Sequence, residues 1–294
     1  MSATDQEILL GKQRQLCGEL RRLREQAGLS GRELAMRMGI SQSKVSRIES
    51  GTAVPSVPEV TRWARETGAQ GRAEEALRIL AEGAYTEIRS WHDAMSEQGH
   101  LQNTIKELED STVLKLTYEP SVVPGLLQTA EYARRLFEMF QPPYDRRDIP
   151  GIVAARLERQ IALFDPARRF EFLITEAALR FRPGSPDMMA AQLDRIASLS
   201  TLDNVSIGLI PTGVEALTHV PHGFNIFEPA DGPQDALIRI ETVHAILTVS
   251  GTGPVALYEE QWSLLRQSAV FGAAARDLVA EVASDVRELS AEGR

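Results

Sequence analysis

Leu29–Gly51 reads LSGRELAMRMGISQSKVSRIESG, and this stretch decides how the first part of the chain folds. Ser30-Gly31-Arg32-Glu33 is a capping box: the serine hydroxyl can accept from the Glu33 amide, and Glu33 can reach back to the cap amide. It opens a helix with Leu34, Ala35 and Met38 on one face. Gly39 ends that helix in a turn, where left-handed backbone costs glycine nothing extra. Ser41 caps a second helix, in which Val45 and Ile48 stand at i, i+3, and Gly51 closes it. The spacing predicts helix, three-residue turn, helix, with Ala35 small where the two cross closely. Ile40, Val45 and Ile48 form the core side of the second helix. Gln42, Ser43, Lys44, Ser46 and Arg47 form its front.

That front combines hydrogen-bonding groups with two cations, and along the helix no acid follows until Glu49. The bland reading is a solvated face. The sharper one is a reader of DNA: the major groove admits one α-helix, and side-chain donors and acceptors read the base edges.

Outward from this pair, Leu16, Leu20, Leu23 and Ala27 recur at helical spacing before Gly28. Ser56-Val57-Pro58-Glu59 is a second capping box, opening a helix with Val60, Trp63 and Ala64 that stops at Gly68. Residues 1–70 thus read as four short helices. From Gly71 to about Glu109 the stripe Ala76, Leu77, Leu80, Ala84, Ile88, Trp91 and Met95 predicts one or two connecting helices. Beyond Ser111 strands enter: Thr112–Tyr118, Phe170–Thr175, Val205–Ile210, Phe224–Phe227, Ala236–Ile240 and Ala245–Val249. Helices are expected over Leu126–Phe140, from an Asp148 cap to Phe164, over Pro186–Leu199, and unbroken over Tyr258–Leu289. Mixed elements without a regular βα repeat predict an α+β domain with a mostly antiparallel sheet. The expected domains are therefore 1–70, connecting helices over 71–110, and 111–294.

The chain has 294 residues, 43% hydrophobic and 25% charged, which is ordinary globular composition for two domains. A single cysteine, Cys17, excludes an intramolecular disulfide and fits a reducing compartment. No apolar run approaches the roughly 18 residues of a membrane span, and the acidic start is no signal peptide. A soluble cytoplasmic protein with no membrane partner is expected. The net charge of −9 is unevenly spread. Residues 1–70 hold 11 Lys+Arg and 8 Asp+Glu, a net of +3, and the rest carries −12. That asymmetry is expected when one end meets a polyanion.

Residues 13–70 resemble the xenobiotic-response-element (Cro/C1-like, lambda-repressor-like) helix-turn-helix family. Its pattern S-x-x-x-V/I-S-R-I/W-E-x-G stands here as Ser41 to Gly51. The resemblance implies that Gln42, Ser43 and Ser46 face bases, that Lys44 and Arg47 contact bases or phosphates, and that Arg32 and Thr52 contact phosphates. It also implies a double-stranded DNA operator bound by a homodimer. Glu119-Pro120, Val123 to Arg134, Arg156 to Gln160 and Thr175 to Arg180 are similar to an antitoxin-like C-terminal domain of actinobacterial regulators, one without a settled biochemical role. The two together imply a transcriptional regulator whose C-terminal domain mediates assembly and senses a ligand or a partner. The alternative is an antitoxin-like protein that captures a small co-encoded partner and binds DNA for autoregulation.

No other motif competes. The five histidines lack H-E-x-x-H, and Pro221 keeps His219 and His222 out of a regular helix, so no metal is expected. Gly251-Thr252-Gly253-Pro254 is half of no nucleotide fingerprint and reads as a turn, so no cofactor is expected. Cys17 reads as a small buried hydrophobe. The start of the helix after Pro124-Gly125 reads as core packing by Leu126 and Leu127. No nucleophile with a base stands out, so the chain is not expected to be an enzyme.

Overall fold

Four helices follow the glycine punctuation of the N-terminal sequence: α1 (Ala3–Gln26), α2 (Gly31–Met38), α3 (Gln42–Glu49) and α4 (Val57–Glu66). The computed structural model describes residues 3–51, 55, 57–69, 71–74, 76–77, 86–90, 108–110, 112–141, 143–230, 236–243 and 245–292. Gly28, Gly39, Gly51 and Gly68 all take positive φ, so each turn uses the conformation that only glycine adopts cheaply. Leu16, Leu20, Leu34, Val45, Ile48, Val60 and Trp63 meet in one core. The Trp63 indole Nε1 donates to the Leu20 carbonyl at 3.0 Å, tying α4 to α1.

The chain forms two compact units. The first comprises Met1–Trp91 with Gln234–Arg239 and His244–Leu257, the second His92–Pro233 with Ile240–Val243 and Tyr258–Arg294. Among the described residues the strands are β1 (Thr86–Ser90), β2 (Thr112–Glu119), β3 (Arg169–Thr175), β4 (Val205–Ile210), β5 (Phe224–Pro229), β6 (Leu237–Glu241) and β7 (Ala245–Val249). The remaining helices are α5 (Ala130–Met139), α6 (Ile149–Arg159), α7 (Glu176–Arg180), α8 (Pro186–Leu199), α9 (Thr252–Gln267) and α10 (Gly272–Glu292).

Within the second unit the strand order is β5-β2-β3-β4. β2 pairs antiparallel with β5 but parallel with β3, and β3 pairs parallel with β4. The sheet is therefore mixed, which corrects the expectation of a mostly antiparallel one. The cause lies in the connections: helices α5 and α6 separate β2 from β3, and α7 and α8 separate β3 from β4. Crossovers that carry helices return the chain in parallel. On one face Phe170, Phe172 and Ile174 of β3 and Val205, Ile207 and Leu209 of β4 pack under α8 and α10. On the other, Phe224 meets Tyr118, Tyr258 and Trp262 at ring separations of 5.1–6.4 Å.

Other expectations are corrected locally. Thr86–Ser90, read as connecting helix, is β1 and pairs antiparallel with β7 from Thr86↔Val249 to Ser90↔Ala245. Its alternation TEIRS, with β-branched Thr86 and Ile88, suits a strand once a partner is present. Leu80, Ala84, Trp91 and Met95 of that stripe, and the Ser56 cap, lie outside the described residues. The helix expected at Leu126 is a 3-10 turn, Gly125–Leu127, followed by α5 under a Thr129 cap that accepts from Tyr132 N. Asp148 makes no capping hydrogen bond, and α6 gives way to a 3-10 turn at Gln160–Phe164. Gly251 to Pro254 leads into α9 instead of forming a free turn. The long final helix is broken, because Val270 and Leu209 exchange backbone hydrogen bonds at 2.8 and 2.9 Å and Gly272 takes φ +59°.

Candidate nucleic-acid interface

The capping box forms as the sequence dictates. Glu33 N donates to Ser30 Oγ at 3.2 Å, and Ser30 N to Glu33 Oε2 at 2.7 Å. Ser41 Oγ accepts from Lys44 N at 3.2 Å and stands 2.9 Å from Ser43 Oγ, fixing the first turn of α3. The back of α3 is sealed: Val45 and Ile48 are fully buried. Arg24 of α1 clamps the far end, reaching both Glu49 oxygens at 2.5 and 2.9 Å and the Leu29 carbonyl at 2.8 Å. A fork of this kind fixes direction as well as distance, so α3 is held rigidly from cap to last turn.

Gln42, Ser43 and Ser46 lie exposed on the front of α3, and Arg32 is exposed on α2. Lys44 and Arg47 are half-buried on α3, and Thr52 lies outside the described residues. The structure thus brings Gln42, Ser43 and Ser46 onto one open face. It does not leave Lys44 uncompensated: its Nζ is 2.9 Å from Glu59 of α4, with only 15% of the lysine side chain exposed. The reading of a front without a compensating acid is corrected here. Glu59 is distant in sequence and on another helix, so no spacing rule within α3 could reveal it. The role of Arg24 is hidden from sequence for the same reason. Cys17 is buried, and burial pushes its thiol up from the ordinary range. Among the described residues no three His, Cys, Asp or Glu side chains converge as metal ligands, and no helix is long and apolar enough to cross a membrane.

Residues 15–77 match the model of a helix-turn-helix domain, so the first unit carries a fold of the DNA-binding class. Residues 102–281, more than half of the chain, match the model of a domain of unknown function, DUF5753, and the chain belongs to that family. No curated protein matches it. Among solved structures, one of TrmBL2, an archaeal chromatin protein with a novel mode of DNA binding, is similar at 12% identity over 82% of this chain and 87% of that one. Its TM-score of 0.32 is too low to bear on the present chain.

Proposed function

We propose that the chain is a sequence-specific DNA-binding transcriptional regulator of the xenobiotic-response-element (Cro/C1-like) type, without enzymatic activity. The observation that carries this reading is α3 itself, capped and clamped at its ends, buried along Val45 and Ile48, and open at Gln42, Ser43 and Ser46. In this reading Gln42, Ser43 and Ser46 read base edges, while Arg32, Lys44, Arg47 and Thr52 contact phosphates or bases. A homodimer would set two such helices in successive major grooves, about 34 Å apart. The second unit would serve assembly and the sensing of an effector.

Gln42→Ala is expected to weaken operator binding by about 1–3 kcal/mol and leave random DNA nearly unaffected. Gel-shift titrations on a selected operator and on a scrambled duplex measure both. Equal losses on the two would remove the base-reading role.

The Lys44–Glu59 pair makes a second prediction with a definite sign. Glu59 holds a cation that the proposed interface needs and places a negative charge near the phosphates. Glu59→Gln should therefore tighten DNA binding and steepen the slope of log K against log salt by up to about 1. Arg32→Ala should flatten that slope by about 1. Salt titrations read both, and a Glu59→Gln slope equal to the wild-type one would show that Lys44 does not reach the phosphates.

A further inference from the structure

The sheet face under α8 and α10 changes character from strand to strand. By register, Lys115, Thr117 and Glu119 of β2 lie on the same face as Phe170, Phe172 and Ile174 of β3. That face is apolar on β3 and β4 and polar on β2. Lys115 is neutralised by Glu109 at 2.7 Å, and Thr117 donates to Asn225 Oδ1 at 2.9 Å. Glu119 makes neither kind of bond among the described residues. Its carboxyl packs so tightly on Gly223 that a Cβ there would lie 2.8 Å from Oε2.

Arg156 of α6 is a further cation of this region, besides Lys115 and Arg159. Its guanidinium lies over the Phe137 ring at 4.4 Å, and a Cβ on Gly125 would stand 3.5 Å from Cζ and Nε. Nη1 donates to Gln128 Oε1 at 2.8 Å, and Gln128 is itself held through its Nε2 by the Val123 carbonyl at 2.7 Å. Nε is buried without a hydrogen-bond partner among the described residues. A guanidinium N–H taken out of water with no acceptor in its place leaves its desolvation uncompensated, and it calls for one. The Nε and Nη2 edge is the planar fork that suits two oxygens of one carboxylate or phosphate. Aromatic stacking, the small Gly125 and the Gln128 bond hold that fork in one orientation, so an oxyanion would meet a preorganised site.

We propose that the Nε edge of Arg156 is the recognition group of a small-oxyanion site in the second unit, taking a carboxylate or phosphate effector. This rests on the reading of that unit as the sensing half. Electrostatics suit the role. Burial lowers the Arg156 pKa, with Arg159 adding to the effect, but only to about 10, so the fork stays charged at neutral pH. Burial and then Glu241 of β6 raise Glu119 to about 8, against Arg156 and Lys115; among the described residues Tyr118 and Tyr132 also feel Glu119, and Tyr144 feels Arg156 and Glu241. Below about pH 8 Glu119 is therefore neutral and adds no repulsion to an anion at Arg156. Above it, Glu119 is a carboxylate that repels one.

The test is calorimetric titration of the full chain, without DNA, by malonate and separately by inorganic phosphate at constant ionic strength against chloride. A saturable site for malonate alone assigns a carboxylate effector, and for phosphate alone a phosphoryl one. Arg156→Lys keeps the charge and loses the fork, and should weaken binding at least about tenfold; Arg287→Lys, on the surface, should not. Wild-type affinity should fall as pH rises from 7 to 9, and Glu119→Gln, which needs no folded Arg156 variant, should flatten that fall. Absence of saturable binding by either anion, or affinity and pH dependence unchanged in these variants, overturns the site. A parallel gel shift without added anion keeps the two readings apart: failure of wild type to bind any operator duplex, with the anion site intact, refutes the regulator, not the site.

Discussion

Trp63→Ala should leave the first unit largely unfolded and abolish operator binding, while the second unit keeps its structure. Trp63 is fully buried at the meeting point of α1 and α4, and its indole N–H satisfies the Leu20 carbonyl across the core. Truncation removes the largest side chain of that core and costs about 3–5 kcal/mol through lost transfer energy and the cavity left behind. Losing the indole hydrogen bond to the Leu20 carbonyl adds about 0.5–1.5 kcal/mol. A whole small domain has roughly 5–15 kcal/mol to lose. The loss spreads to α3, because Val45 and Ile48 pack in the same cluster. Trp63→Phe separates the two causes: it refills much of the volume but cannot donate, so it should cost only about 1–3 kcal/mol. Hydrogen-exchange mass spectrometry reads the units individually. Expected is loss of protection over α1 to α4 with protection over β2, β3 and α8 retained. Protection of α3 and operator affinity both surviving in Trp63→Ala would show that the helices hold together without this core.

How much of the fold is legible in the sequence depends on how local the cause is. Ser30 and Glu33 are three residues apart, and Ser41, Val45 and Ile48 span two turns, so cap and periodicity announce α2 and α3 directly. The strands β4 and β7 and the helix α8 are likewise marked by apolar runs between turn residues, and their observed ends match the reading. What depends on distant partners is not legible. TEIRS is a strand only because β7 lies alongside it. Val270 breaks the C-terminal helix because Leu209 offers two backbone hydrogen bonds there. The helices between β2 and β3 hint at their parallel pairing, but the irregular spacing hides it. In the candidate interface, the exposed face of Gln42, Ser43 and Ser46 can be read from a helical wheel. The pairing of Lys44 with Glu59 cannot, since Glu59 stands 15 residues on, in another helix, and only the fold brings it to Lys44. The same holds for Arg156 and Gln128, 28 residues apart and joined only by the fold.

Removing the charge of Glu109 should be as damaging to the second unit as Trp63→Ala is to the first. Glu109 is only 4% exposed and binds two buried cations: Lys115 Nζ at 2.7 Å, and Arg159 through Nε at 2.8 Å and Nη2 at 2.7 Å. Burial pushes its carboxyl up, but Lys115 and Arg159 more than offset this and hold it at about 2. Its folded-state pKa thus lies below the unfolded one, so its stabilisation is complete above about pH 4.5 and is lost as pH falls through 2. A depression of that size corresponds to about 3 kcal/mol. Glu109→Gln keeps the shape but leaves two cations, 6% and 10% exposed, without their shared counter-charge. Breaking a buried ion pair from one side costs about 3–5 kcal/mol. Adding Lys115→Met should recover part of that loss, because the methionine can lie against Phe227, whose ring the lysine now covers at 5.0 Å, and one of the two cations that share Glu109 is gone. Urea unfolding of the four members of this cycle, with exchange protection of β2 and α6 as the local readout, measures the coupling. Repeating it between pH 5 and pH 2 tests the sign: wild type should lose stability over that range, and Glu109→Gln should lose less by about the same 3 kcal/mol. Parallel acid profiles for the two proteins would mean that Glu109 titrates like a free carboxylate and that its two cations do not hold β2 to α6.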